Sequence, residues 1–93
     1  MTKLHWGLLS TARINSAVIP PIRLSPRSEL VGVASRDQAK ADAYAQAHDL
    51  PRAYGTYEAM LADPAINVIY NPLPNHLHAE WTIKAAEAGK HVL

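Results

Sequence analysis

Three short polar stretches interrupt an otherwise apolar pattern, and each follows a run suited to a buried strand. They are Ser10-Thr11 after LHWGLL, Ser35-Arg36 after ELVGVA, and Asn71 to His76 (NPLPNH) after INVIY. At the first, Ser10-Thr11-Ala12-Arg13-Ile14-Asn15 joins a core strand directly to the first turn of a helix. A helix N-terminus presents unpaired N–H groups and about half a positive charge, so a phosphate would sit over this turn. A dinucleotide fingerprint, G-x-G-x-x-G/A, uses small residues there so that the backbone can touch a pyrophosphate. Ser10 and Ala12 replace both glycines; both are small, and Ser10 can add a hydroxyl to the phosphate cradle. The alternative is an ordinary strand-to-helix turn with a Ser/Thr cap.

The second polar end bears on which dinucleotide would bind. An acidic residue there would hold the ribose 2′-OH of NAD, whereas an arginine accommodates the 2′-phosphate of NADP. Arg36 lies 26 residues beyond Ser10, near where that residue should fall. Its guanidinium can also stack on adenine. Ser35 can donate to the same phosphate, and Lys40, one helical turn on, adds charge. The opposing reading leaves Arg36 and Lys40 as solvated cations and gives the ribose to Asp37. In the third stretch a neutral His76 could orient a ribose or carboxamide group, or simply satisfy the loop's own carbonyls. His76 and His78 are two apart and do not share a helix face, so they make no metal pair. His5, His48 and His91 read as structural, Tyr70 as core, and Lys84 and Lys90 as solvated lysines.

Regular elements must bring these ends together. Strands are expected at Leu4 to Leu9, Glu29 to Ala34 and Ile66 to Tyr70, with a stub at Arg52 to Tyr54 and a last strand beginning near Lys90-His91. Gly32 inside the second strand implies that another backbone packs closely. A first helix starts at Ala12 and should end or kink at Pro20-Pro21, which lack N–H donors. Asp37 is the expected N-cap of a second helix presenting Ala39, Ala43, Ala47 and Leu50 on one face. Thr56 caps a short helix from Tyr57 to Ala62. A last helix, about His76 to Ala88, carries Leu77, Trp81, Ala85 and Ala88 on one face and stops at Gly89. The alternation β-α-β-α-(β)-α-β-α-β is what an α/β doubly wound parallel sheet requires.

Composition bounds the remaining possibilities. Ninety-three residues make one small domain or a piece of a larger one, and a chain of this length buries only somewhat over ~60% of its unfolded surface. With 48% hydrophobic and 18% charged residues the chain is globular, and a net charge of +1 offers no footprint for nucleic acid. Cysteine is absent, which excludes disulfides and thiolate metal sites. Without an apolar h-region after Met1 an ordinary secretory signal is not expected, and a cytoplasmic protein fits best. The apolar runs fall far short of the ~20 residues that span a bilayer.

The quoted segments STARIN, ASRD and VIYNPLPNHLHAEWTIKAAEAGKHVL resemble the N-terminal half of the glucose-fructose oxidoreductase and inositol dehydrogenase (Gfo/Idh/MocA) family, closest to its NADP-dependent sugar and dihydrodiol dehydrogenases. The resemblance covers essentially the whole chain. It implies a Rossmann-type fold, truncated before a second, substrate-binding domain that also forms the oligomer interface, so a homo-oligomer is implied. The family's first turn usually reads G-T-A-x-I, and Ser10 departs from its glycine. The resemblance carries Arg13, Ile14, Asn71, Leu73, Asn75 and His76 over as cofactor contacts, Leu73 mainly through backbone and shape. It implies hydride transfer between a nicotinamide, NADP or NAD, and a hydroxyl of a sugar, polyol or dihydrodiol. The family's acid/base lysine, in a Glu-Lys-Pro segment, would follow the last strand, so the 93 residues alone are expected to bind nucleotide without turnover. The alternative is a non-catalytic NADP-binding or sensor module.

Overall fold

In the computed structural model, which describes residues 3–93, strands and helices alternate from end to end. The elements are β1 (Leu4–Leu9), α1 (Asn15–Leu24), β2 (Ser28–Ala34), α2 (Gln38–Ala47), β3 (Arg52–Tyr54), α3 (Tyr57–Leu61), β4 (Val68–Tyr70), α4 (Asn75–Glu87) and β5 (His91–Val92). The strands form one sheet in the order β3-β2-β1-β4-β5, and every pairing is parallel. The chain runs from β1 outward to β3, returns to the far side of β1 for β4, and continues outward to β5. This is the doubly wound sheet expected from the alternation.

Helices cover both faces because adjacent strand residues point to opposite sides. Leu8 and Val33 meet Ile19 and Ile22 of α1 and Ala45 of α2 in one apolar cluster. Leu9, Ala34 and Ile69 meet Met60 and Leu61 of α3 and Trp81 and Ala85 of α4 in the other. The strict alternation breaks once in β2, where the register against β1 shifts between Trp6 and Gly7, so Trp6 pairs with Leu30 but Gly7 pairs with Gly32. Val31 is thus the extra residue of a β-bulge. Gly32 lies so close to β3 that a Cβ there would come within 2.9 Å of the Arg52 carbonyl oxygen, which is the close approach expected of that glycine.

Five expectations change. The first helix begins at Asn15 rather than Ala12, because residues 12 to 17 first pass through three tight turns, Asn15, Ser16 and Ala17 donating to the carbonyls of Ala12, Arg13 and Ile14 at 3.1, 3.1 and 3.0 Å. It then runs through Pro20 and Pro21 to Leu24, so of the two outcomes expected there, an end or a kink, the end does not occur. The carbonyls deprived of donors belong to Ser16 and Ala17, which are exposed to water, while buried Ile19 and Ile22 hold the helix to the sheet. In α2 the docked face is Ala41 and Ala45, with Leu50 following, and Ala39, Ala43 and Ala47 are exposed. Alanines at every second position from 39 to 47 populate all sides alike, so their spacing could not select the face. In α4, Trp81 and Ala85 are buried and Leu77 is half-buried, but Ala88, at the helix end, is exposed. Lys90 is not a free solvated lysine: its Nζ donates to the carbonyls of Asp63 (2.7 Å) and Ile66 (2.5 Å).

Candidate functional site

Register brings the polar ends together. Leu9 pairs with Ala34 and Leu8 with Tyr70, so Ser10, Ser35 and Asn71 follow their strands at one edge of the sheet. The chain changes direction between β1 and β4, and in open α/β sheets a ligand binds in the crevice opened there, beyond the carboxyl ends of the strands.

In the turn after β1, Ser10 adopts φ +127°, a region that favours glycine. Asn15, fully buried, holds the turn by donating from Nδ2 to the Ser10 carbonyl at 2.8 Å. Ser10 Oγ and Asn15 Oδ1 are both buried without a hydrogen-bond partner. Such orphans are uncommon in folded proteins and call for a group to pair with them. The N–H groups of Asn15, Ser16 and Ala17 are already taken by the tight turns, so the free backbone donors lie slightly earlier, in the stretch from Thr11 to Ile14. Thr11 and Ala12 are half-buried, and Arg13 and Ile14 project outward.

At the end of β2, Ser35 is buried, donates its N–H to the Tyr54 carbonyl at 2.9 Å, and accepts at Oγ from Asp37 N at 3.3 Å. The hydroxyl proton of Ser35 is not used by these bonds. Asp37 caps α2 as expected, with Oδ1 accepting from Ala39 N at 2.9 Å and Lys40 N at 3.3 Å. Arg36 and Lys40 are exposed, and no salt bridge among the described residues engages Arg36, Lys40 or Arg13. The Arg36 guanidinium lies over the ring of Tyr57, 5.6 Å from its centroid.

The loop after β4 is built from its own side chains. Asn71, buried, donates from Nδ2 to the His78 carbonyl (3.1 Å) and Thr82 Oγ1 (3.0 Å) and accepts at Oδ1 from Leu73 N (3.1 Å). Its amide therefore braces the loop against α4, with both Nδ2 protons used and one acceptor position of Oδ1 left. Leu73 is buried in the α3/α4 core. Asn75 and His76 are exposed in the first turn of α4. Tyr70 is half-buried against the α1/α2 core, as read from the sequence.

The most strongly perturbed ionisable groups lie elsewhere. Asp63, in the segment before β4, accepts at Oδ2 from Tyr54 Oη and Arg52 Nη1, both at 2.5 Å, and at Oδ1 from Ala65 N at 2.8 Å. These donors, Tyr54 foremost, hold the carboxyl down to about 2. Burial, and then the bond to Asp63, push the Tyr54 phenol up to about 12. The cluster ties β3 to the α3–β4 connection and holds none of the strand-end residues. An apolar cavity of about 220 Å³, lined by Trp6, Val18, Pro21, Ile22, Ser28 and Leu93, also lies apart from them. No helix among the described residues is long and apolar enough to cross a membrane.

Two residues of this edge were not singled out from the sequence. Asn15 stands at the third small position of the fingerprint, a signal that was present. Tyr57 read only as the start of a short helix, and its place beneath Arg36 is a tertiary fact.

A parallel β3-β2-β1-β4-β5 sheet with this edge defines a nucleotide-binding Rossmann-type domain. The sequence model of the GFO_IDH_MocA oxidoreductase family, NAD-binding Rossmann fold, matches residues 4–93, and the chain belongs to that family. It is 48% identical over 91 residues to D-xylose 1-dehydrogenase (NADP(+)) 2 of Haloferax volcanii, covering 97% of this chain and 28% of that protein. It is 40% identical over 92 residues to the trans-1,2-dihydrobenzene-1,2-diol dehydrogenase of Sus scrofa, again covering 97% of this chain and 28% of that protein. Among solved structures, the 3-ketoreductase KijD10 of Actinomadura kijaniata, in complex with TDP-benzene and NADP, superposes with a TM-score of 0.90 at 31% identity, over 99% of this chain and 29% of that one. The chain thus spans little more than a quarter of the length of these relatives.

Proposed function

We propose that this chain is the NAD(P)-binding part of an oxidoreductase acting between a nicotinamide cofactor and a hydroxyl of a sugar, polyol or dihydrodiol. The observation that carries this reading is the convergence at one sheet edge of the Ser10 turn, the unpaired Arg36 and the α4 loop, with two buried polar atoms left unpaired in the turn. The residues fit the cofactor. Ser10 and the backbone from Thr11 to Ile14 would hold the pyrophosphate, with Arg13 nearby. Ser35, Arg36 and Lys40 would hold a 2′-phosphate, which makes NADP the preferred form and NAD the weaker one. The loop shaped by Asn71 and Leu73 would present Asn75 and His76 to the ribose and nicotinamide. The nicotinamide supplies the hydride acceptor or donor; the chain's own residues bind and orient it.

Replacing Arg36 by Ala tests the assignment. A charge-assisted contact to phosphate is worth roughly 1.5 to 3 kcal/mol, about 10- to 100-fold in affinity. Fluorescence titration should show the Arg36→Ala variant losing most of its preference for NADPH over NADH. Selectivity that survives the substitution would reject the role of Arg36.

Residues 1–93 would be the N-terminal domain, incomplete by itself, of a longer cytoplasmic protein. By the family resemblance, a second domain would carry the substrate contacts and the homo-oligomer interface, and a lysine beyond the last strand would be the acid/base. A second reading is a non-catalytic NADP-binding or sensor module, and the last two lysines do not separate it from the first. Lys84 Nζ donates to Glu80 at 2.9 Å and Lys90 to two carbonyls, so neither is placed to serve as a base. Under either reading the 93 residues alone should not reduce NADP with a panel of aldoses. Turnover by the purified chain would assign the base to Tyr70 or His76.

A further inference from the structure

Arg36 is exposed and engages no carboxylate among the described residues, yet it is not unguided. Its guanidinium sits 5.6 Å from the centroid of the Tyr57 ring, within reach of the cation–π attraction that holds a cation over an aromatic face. Tyr57 is itself fixed. It is buried as the first residue of α3, and its ring meets Trp81 of α4 edge-on, with centroids 5.0 Å apart and planes at 85°. Trp81 is buried in turn. The segment that delivers Tyr57 is pinned at both ends: Ser35 N donates to the Tyr54 carbonyl at 2.9 Å, and Thr56 Oγ1 accepts from Ala59 N at 3.1 Å to cap α3. Between them Gly55 lies so close to α2 that a Cβ there would come within 2.6 Å of Gln38 Oε1.

We infer that Tyr57 is a positioning residue for cofactor choice, acting through Arg36: its ring restrains the long guanidinium side chain at the end of β2. The inference rests on the reading of Arg36 as the 2′-phosphate ligand and deepens it. A free arginine gives up much of its rotamer freedom when it meets a phosphate, and a ring that restrains it beforehand lowers that loss. Ligands carrying the 2′-phosphate benefit more, since any stacking of the guanidinium on adenine is common to NADPH and NADH. Every contact to the pyrophosphate, nicotinamide and its ribose is shared by NADPH and NADH, so the ratio of their affinities isolates the contribution of Tyr57.

The experiment titrates this chain and its Tyr57→Leu and Tyr57→Phe variants with NADPH and with NADH, far-UV circular dichroism reporting the fold. Tyr57→Leu removes the aromatic face and should weaken NADPH binding roughly 3- to 5-fold, as expected for an exposed cation–π contact, with NADH affinity changing less. Tyr57→Phe keeps the face and should match the unaltered chain with both ligands. An unchanged or tighter affinity of Tyr57→Leu for NADPH overturns the inference, since the ring would then be irrelevant to Arg36 or compete for it. Equal losses for the two ligands overturn it as well, because they mark a role confined to folding. If Tyr57→Leu does not fold, Tyr57→Met takes its place and is read by the same NADPH/NADH ratio, and a Tyr57→Phe variant with an altered ratio overturns the inference. An unaltered chain that binds NADPH no better than NADH overturns the reading of Arg36 itself, a result read before any variant is made.

Discussion

Ser10 holds a backbone angle, φ +127°, that glycine adopts freely and serine does not, and its hydroxyl is buried without a partner. A non-glycine residue in such a region costs about 1 to 3 kcal/mol, whereas glycine loses about 0.5 to 1 kcal/mol more conformational entropy on folding. The first effect wins, so Ser10→Gly should stabilise the fold by about 1 kcal/mol, read as a higher urea midpoint with an unchanged slope. The residue scale also sets the response to acid. Asp63 is lowered from 3.8 to about 2 by Tyr54, the Ala65 N–H and Arg52, so its folded value lies below its unfolded one. The stability it contributes is present above pH 3.8 and is lost as pH falls through about 2. Tyr54 is raised from 10.0 to about 12, so its contribution is present below pH 10.0 and disappears as pH rises through about 12. Chemical denaturation across the acid range should show this loss, and Asp63→Asn should flatten it. At this scale the sequence made Ser10, Arg36 and Lys40 legible as anion-binding candidates by type and position. It could not reveal that the Asn71 amide is spent on His78, Thr82 and Leu73, because hydrogen-bond partners are chosen by proximity in space.

At the scale of elements, strands were easier to read than helices. The apolar runs of β1, β2 and β4 have few alternatives in a short chain, and Gly32 announced a close neighbour before β3 was known to pair with it. The neighbour is the Arg52 carbonyl, a backbone atom that cannot rotate away. Gly32→Ala should therefore destabilise the protein by about 1 to 3 kcal/mol, the usual cost of overpacking, measured by thermal or urea unfolding. Helices were harder because the deciding information lay outside them. Pro20 and Pro21 each remove a backbone bond, yet Ile19 and Ile22 dock on Leu8, Leu30 and Val33 firmly enough to carry α1 past them. In α2 the buried face was selected by where the sheet lies, since alanine occupies every candidate face.

For the whole molecule, β5 pairs with β4, and its hydrogen bonds continue to Leu93, which donates to the Ile69 carbonyl and accepts from the Asn71 N–H. Lys90 ties β5 back to the α3–β4 connection through the Asp63 and Ile66 carbonyls. Lys90→Met keeps the stem but removes the Nζ donor from both carbonyls, the Asp63 carbonyl keeping only the Ile66 N–H at 3.2 Å, and should cost about 1 to 3 kcal/mol. Hydrogen exchange should show β5 and residues 63 to 67 losing protection first. The sequence by itself determined the order of strands and helices, the polar residues at three strand ends and the arginine at the second, because periodicity, caps and turn residues are local properties of a chain. Only the tertiary structure decided which helix faces are buried, which polar side chains are consumed in bracing loops, and that Tyr57 lies beneath Arg36. Those outcomes depend on the β3-β2-β1-β4-β5 order, which brings together residues far apart in the chain, and no local pattern encodes that meeting.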